Sequence, residues 1–237
     1  MASTESTRII AHRGASIAEP ENTMRAFRAA AEQGADMVEV DVRLSADGHP
    51  VVHHKAEVGS NGARPRVESL DLATLTAMCP EAPIPALEEV LSWAQGRIGV
   101  YLDLKARGAG GSAMGLVRDL EMTDEVIAGS FHPGFVAEVR ATAPTVATSI
   151  LMGPQQPNLA LPLATELRTR YVHPCWETAH PTPHKLLNAD FRHGARAAGL
   201  GIISWQEDRP EELHALLDLG VDGICTNRPD RLAALRG

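Results

Sequence analysis

No apolar run in this 237-residue sequence approaches the ~18 residues of a membrane-spanning helix, so no integral membrane segment is expected. Cysteine is scarce: Cys79, Cys175 and Cys225 are odd in number and widely spaced. That excludes a disulfide framework and points to a reducing compartment. Positive charge is also short, with a formal net charge of −8. A nucleic-acid backbone calls for a basic surface and is therefore not an expected partner. For the same reason an anionic substrate must find a local positive site. The opening MASTESTR lacks the basic-then-apolar pattern of a leader, and no Pro/Ser-rich linker divides the chain. The expectation is a single cytoplasmic domain over residues 1–237, its oligomeric state left open. What is plentiful is apolar: 44% hydrophobic residues can build a sizeable core and exclude disorder as the general state.

Short β-rich apolar runs alternate with amphipathic stretches from end to end. The strand-like runs are RIIAHR (8–13), MVEVDVRL (37–44), PVVHH (50–54), IGVYLDLK (98–105), EVIAGSF (125–131), TVATSIL (145–151), RYVHP (170–174), GIISWQ (201–206) and GICTN (223–227). Helical spacing shows in Met24, Phe27 and Ala31 before Gly34, in Leu87, Val90, Leu91 and Ala94 before Gly96, and in Leu213, Leu216 and Leu217 before Gly220. Glycine just past such a stretch is a helix stop.

Repeated βα units imply a parallel sheet covered by helices. Nine strands are one too many for a (β/α)8 barrel, and one connection identifies the extra. Between RL and PVV lies only SADGH, too short for a parallel crossover, and Asp47-Gly48 is good hairpin-turn chemistry. The reading is an α/β TIM barrel with a β-hairpin after the second strand, against an open doubly wound sheet as the alternative. Folded about the turn, His54 returns beside Asp41.

Catalytic residues of such barrels lie at the C-terminal ends of the strands. His12 and Arg13 end the first strand, Glu39 and Asp41 lie near the end of the second, Asp103 and Lys105 end VYLDLK, and Trp205 ends ISW. Strand side chains alternate, so Glu39 and Asp41 share a face, as do Asp103 and Lys105. Adjacent buried carboxylates repel. A shared proton, basic neighbours or a hard divalent cation would each resolve this, and three carboxylates with two histidines favour the cation. Taken alone, an E-x-D pair also reads as an ion-paired strand edge, and a lone histidine as a structural one. Arg13 and Lys105 suit a phosphate, or neutralise the acids. His12 and His54 suit proton transfer near neutral pH, while His53, on the opposite face, reads as structural.

The sequence resembles the glycerophosphodiester phosphodiesterase family. The resemblance rests on AHRG (11–14) with PENT (20–23), VEVDVRLSADGHPVVHH (38–54), IPALEEVL (84–91), YLDLK (101–105), GSF (129–131), SW (204–205) and GVDGICTNRPD (220–230). It implies a barrel hydrolase of lipid metabolism that converts glycerophosphodiesters to sn-glycerol 3-phosphate and an alcohol with a divalent metal ion, Mg²⁺ or Ca²⁺ with Mn²⁺ as a third candidate. Residue by residue it implies His12 and His54 as catalytic, Glu39, Asp41 and Asp103 as metal ligands, and Arg13 and Lys105 as phosphate contacts. Glu21 stands near the same mouth, where a helix start also favours a carboxylate. Two positions depart from the family pattern: Lys55 replaces the usual aspartate after the second histidine, and Asp103 a usual glutamate.

His12 is assigned the acid role and His54 the base. Residues 55–85 are read as a small cap insertion shaping the alcohol side, with Arg64 and Arg66 either solvated or near phosphate. Trp205 packs on glycerol carbons or belongs to the core. The alternatives are a lysophospholipase D-like enzyme, a phosphodiesterase forming a cyclic phosphate, and a non-catalytic barrel binding a phosphorylated ligand.

Overall fold

The computed structural model describes residues 6–59, 64–155 and 157–237. Nine strands run in chain order: β1 Arg8–Ala11, β2 Met37–Leu44, β3 Pro50–Val52, β4 Gly99–Leu104, β5 Val126–Ser130, β6 Ala147–Met152, β7 Tyr171–Pro174, β8 Gly201–Ser204 and β9 Gly223–Thr226. The helices are α1 Met24–Glu32, α2 Leu72–Met78, α3 Leu87–Ala94, α4 Ala109–Asp119, α5 Pro133–Thr142, α6 Ala160–Glu166, α7 Ala189–Ala197, α8 Pro210–Leu219 and α9 Pro229–Arg236.

Eight strands pair in parallel in the order β1-β9-β8-β7-β6-β5-β4-β2, and β1 also pairs with β2. That last pairing closes the ring and excludes the open sheet. β3 lies outside the ring, antiparallel to β2, with Val42 opposite Val52. The five residues of the β2–β3 connection could only make a hairpin, and they do.

Alternation along each strand divides the core in two. In β2 the even positions Val38, Val40 and Val42 face outward and are fully buried with Phe27 of α1, Leu87, Val90 and Leu91 of α3, and Met114 of α4. Ile150, Val172, Ile202 and Ile224 do the same under α6 to α9. Each such aliphatic side chain contributes about 1.5–3 kcal/mol by leaving water. The barrel interior is filled by Ile10, Met37, Tyr101, Ile127, Leu151, Tyr171, Ile203 and Cys225. Above this apolar floor the inward positions of β2 and β4 become acidic: Asp41 pairs in register with Asp103, and Glu39 sits beside Tyr101.

Caps fix where helices begin and end. Thr23 closes the start of α1 through its hydroxyl, which accepts from the Ala26 N–H at 3.2 Å. Gly220 ends α8 in the left-handed region. The segment after β3 has its own apolar cluster of Val58, Val67, Leu75 and Ile84 around Val51 of β3. Residues 60–63, part of the expected cap, lie outside the described residues. Arg66 is paired on the surface with Glu68 at 2.6 Å. Among the described residues no helix is long and apolar enough to cross a membrane, and all three cysteines are free.

Candidate active site

Glu39, Asp41 and Asp103 lie within their strands, but other strands expected to carry site residues stop one or two residues short of them. β1 stops at Ala11, so His12 and Arg13 lie in the turn that follows, β3 stops two residues before His54, and Lys105 and Trp205 each follow a strand end. The ladder bonds give out at the rim, but the inward direction persists for a residue or two; the His12 N–H still donates to the Thr226 carbonyl at 2.9 Å.

The HRG turn explains its own sequence. Arg13 and Gly14 both have positive φ, 57° and 82°. A Cβ on Gly14 would meet the Ala26 carbonyl carbon at 2.6 Å, so only glycine lets the turn pack on α1. That packing aims the Arg13 N–H at Glu39 Oε2, 2.9 Å away.

Glu39, Asp41 and Asp103 are completely buried, and one carboxylate oxygen from each falls within 4.8 Å of the others. Asp41 is the hub. Its Oδ2 accepts from Asn22 Nδ2 at 2.8 Å and lies 3.1 Å from both His54 Nδ1 and Arg13 Nε. Lys105 Nζ lies 3.1 Å from Asp41 Oδ1 and also pairs with Asp103. Even so, Glu39 Oε1 and Asp103 Oδ1 are buried without a hydrogen-bond partner, and Asp41 Oδ1 meets only the Lys105 ammonium. Unpaired buried carboxylate oxygens are costly. Two of them, converging with the ion-paired Asp41 oxygen, make the donor set of a hard divalent cation, and these residues fit such an ion.

The electrostatics agree. Burial, then the Asp41 and Asp103 charges, push Glu39 well above the ordinary carboxylate range. Burial and Asp41 also raise Asp103, although Lys105 opposes them. Burial would raise Asp41 too, but His54, Lys105 and Arg13 outweigh it and hold it low. Three carboxylates against Arg13 and Lys105 leave one negative charge in excess; a divalent cation would turn it into one positive charge, which suits a singly charged phosphodiester.

The two histidines differ. His12 is buried, its Nδ1 lies 2.7 Å from Asn227 Oδ1, and its Nε2 has no hydrogen-bond partner. Burial and the neighbouring Arg13 lower its pKa to about 4, against the Asn227 bond that raises it. His54 is more open. Its Nδ1 faces Asp41 and its Nε2 lies 3.3 Å from Arg13 Nη2. Trp205 is nearly buried and meets the His12 ring edge-on at 4.7 Å. Lys105 Nζ lies 5.5 Å from the centre of the partly exposed Phe131 ring.

His12, Arg13, Glu39, Asp41, His54, Asp103, Lys105 and Trp205 thus all lie at this mouth, while Glu21 reaches it only through Arg13 Nη1, at 2.9 Å, and is half exposed. His53, as expected, turns away, its Nε2 3.2 Å from the Glu57 carbonyl. Lys55 is exposed. The sequence reading missed Asn22, Arg43 and Asn227. Asn22 lay inside PENT, and Asn227 sits two residues beyond inward-facing Cys225, so both had a signal.

A sequence model described as the Glycerophosphoryl diester phosphodiesterase family matches residues 12–231. A glycerophosphodiester phosphodiesterase of Caldanaerobacter subterraneus subsp. tengcongensis is 29% identical, the alignment covering 97% of each chain. A probable glycerophosphodiester phosphodiesterase 2 of Mycobacterium tuberculosis is 31% identical over 94% of this chain and 88% of its own. The crystal structure of glycerophosphodiester phosphodiesterase from Agrobacterium tumefaciens superposes with a TM-score of 0.82 at 26% identity, covering 96% of this chain and 99% of that one. An Oleispira antarctica phosphodiesterase, solved with its product sn-glycerol-3-phosphate, shares the fold at a TM-score of 0.81 and 21% identity, covering 97% and 96%. With the acidic cluster and both histidines at the barrel mouth, these matches place the chain in the glycerophosphoryl diester phosphodiesterase family, as an enzyme of that family.

Proposed function

We propose that this protein hydrolyses glycerophosphodiesters to sn-glycerol 3-phosphate and an alcohol. The observation that carries the reading is the convergence of three buried, incompletely paired carboxylates beside two histidines. Glu39, Asp41 and Asp103 would hold a divalent cation of the Mg²⁺, Ca²⁺ or Mn²⁺ type. When bound, such an ion supplies charge stabilisation at a phosphate oxygen and acidity at an adjacent hydroxyl.

The protein's own groups do the rest. Arg13 and Lys105 bind and orient the phosphate, and Trp205 with Phe131 forms an apolar wall for the carbon skeleton. His12 takes the proton of the nucleophile at Nε2, a role supported by that atom's lack of a partner and by burial, which keeps the ring neutral at rest. His54 gives a proton to the leaving alcohol, its ring oriented by the Asp41 carboxylate at Nδ1. This reverses the assignment drawn from sequence, where nothing distinguished the two rings. Within one domain, the described residues of 55–85 serve as a cap and shape the alcohol side. The alcohol is small and the site lies in the cytoplasm, a reading supported by the scarcity of aromatic side chains in the cap and the free cysteines.

The test is incubation of metal-depleted protein with glycerophosphocholine, with and without Mg²⁺, Ca²⁺ or Mn²⁺, coupling product to glycerol-3-phosphate dehydrogenase. Metal-dependent glycerol 3-phosphate release is expected. Silence with every ion and with several head groups would overturn the reading.

A further inference from the structure

One well-bonded polar group near the mouth is left unused by the mechanism above. Asp208, in the loop after β8, accepts from three donors. Its Oδ1 takes the Asn227 backbone N–H at 2.8 Å and the Thr226 hydroxyl at 2.8 Å, and its Oδ2 takes Asn227 Nδ2 at 2.7 Å. The Thr226 hydroxyl in turn accepts from the Arg228 N–H at 3.0 Å, so its own proton is committed to Asp208. On the far side of the amide, Asn227 Oδ1 accepts from the Ser16 hydroxyl at 2.9 Å and lies 2.7 Å from His12 Nδ1.

The orientation of the Asn227 amide follows from chemistry. A carboxylate only accepts, so the amide atom facing Asp208 must be the NH₂. The atom facing His12 is then the carbonyl oxygen, which also only accepts. His12 must meet it with a proton on Nδ1. A neutral imidazole carries one ring proton, so Nε2 keeps its lone pair. That Nε2 is the buried, unpartnered nitrogen already noted.

We propose that Asp208 is a positioning residue that acts through Asn227 to lock His12 as the Nδ1–H tautomer, so that Nε2 is always the free base. The inference rests on the reading of His12 as the proton acceptor. Asp208 touches neither substrate nor ion in this scheme; it reaches His12 only through the Asn227 amide.

The test exploits an isosteric inversion. Asp208→Asn keeps the shape and can still accept at Oδ1 from Thr226 and the Asn227 N–H. Its new NH₂ then opposes the Asn227 NH₂. The Asn227 amide escapes by turning over, which presents its NH₂ to His12 Nδ1 and forces the Nε2–H tautomer. Ser16 can rotate its hydroxyl to suit. In the double variant Asp208→Asn/Asn227→Asp the position-208 amide donates to the position-227 carboxylate, which again presents an acceptor to His12 Nδ1, with the charge moved one position nearer His12.

The tautomer is read by two-bond ¹H–¹⁵N correlation NMR on ¹⁵N-histidine-labelled protein, with His12→Gln assigning the His12 signals. The Nδ1–H form is expected in the wild type and the Nε2–H form in Asp208→Asn. With glycerophosphocholine and Mg²⁺, kcat should fall about 10²-fold in Asp208→Asn, with KM within about twofold. The double variant should recover the Nδ1–H form and kcat to within about tenfold. An Nε2–H tautomer in the wild type overturns the inference without any variant. So does an Asp208→Asn protein that keeps the Nδ1–H form. Should Asp208→Asn fail to fold, a folded double variant in the Nε2–H form overturns it equally. Full activity in His12→Ala would instead sink the reading of His12 as the base, whatever the NMR shows.

Discussion

Tyr101 on β4 reaches across the barrel interior to His173 on β7, hydroxyl to Nδ1 at 2.8 Å. The path runs over Gly129 on β5. A Cβ there would collide with the Tyr101 hydroxyl and lie 2.8 Å from Leu151 Cδ1. Gly129→Ala should therefore destabilise by about 1–3 kcal/mol, the usual range for overpacking. Urea unfolding measures it. In a Tyr101→Phe background the cost should shrink, because the atom nearest the new methyl is gone; equal costs in both backgrounds would show that the hydroxyl is not the obstruction.

His173 makes folding sensitive to acid. Burial, with His12 nearby, lowers its pKa to about 3, against about 6.5 in an unfolded chain. Between those values the unfolded state binds a proton that the folded state refuses. Stability therefore falls as pH drops, by up to ~1.4 kcal/mol per unit from this group. His173→Gln, which can still accept from Tyr101, should flatten the stability profile between pH 6 and pH 4 relative to wild type. Parallel profiles would assign the acid sensitivity to other groups, buried His12 among them.

β2 was legible residue for residue, because its inner face is acidic and its outer face is valine, a pattern with only one register. The closed ring was legible for the same kind of reason: SADGH is too short to let β3 be parallel, which left eight strands. The three carboxylates followed from alternation alone. What alternation cannot place are side chains on turns. Asn22 has a positive φ of 57° and bonds Asp41 through both ends of its amide, at 2.8 and 3.2 Å; a turn residue has no face to read. Its charged neighbour Glu21 carries the more visible signal in sequence and meets the mouth only through Arg13. His173 lies mid-strand between Tyr171 and Cys175, and the sequence held nothing to say that this face was the barrel interior.

Metal binding should be visible without substrate. A cation present at about 100 times its Kd adds about 2.7 kcal/mol to stability, roughly 5–10 °C in Tm for a domain of this size. Mg²⁺, Ca²⁺ or Mn²⁺ added to EDTA-treated protein should produce such a rise by calorimetry, and Asp41→Asn should abolish it. Because burial and its acidic neighbours raise Glu39, Glu39 must lose a proton to act as a ligand. Affinity should thus weaken as pH falls, approaching tenfold per unit below that raised pKa. A pH-independent affinity would remove Glu39 from the ligand set.

Each histidine should carry its own share of the rate. His12→Ala and His54→Ala are each expected to lose about 10²–10⁴ in kcat with glycerophosphocholine. If the leaving alcohol is replaced by p-nitrophenol, which departs without a proton, His54→Ala should recover most of its loss and His12→Ala should not. Recovery by His12→Ala instead would exchange the two roles.

Arg43 offers a last test, of position rather than chemistry. It extends from β2, and its Nε and Nη2 both donate to the His54 carbonyl, at 3.1 and 2.7 Å, while Nη1 faces the Lys105 carbonyl at 3.5 Å. The last backbone bond from the returning arm to β2 is the His53 N–H to the Asp41 carbonyl at 2.9 Å; at His54 the fork takes over and ties the arm to the rim of β2 and β4. A forked donor is what guanidinium supplies and ammonium does not. Arg43→Lys should therefore keep the charge and lose the grip. Misplacing a reacting group by about 1 Å can cost ~10²-fold, so a 10- to 100-fold fall in kcat is expected with KM changed far less, since Arg13 and Lys105 still hold the phosphate. An Arg43→Lys enzyme with wild-type kcat would show that the Asp41 carboxylate alone fixes the ring of His54.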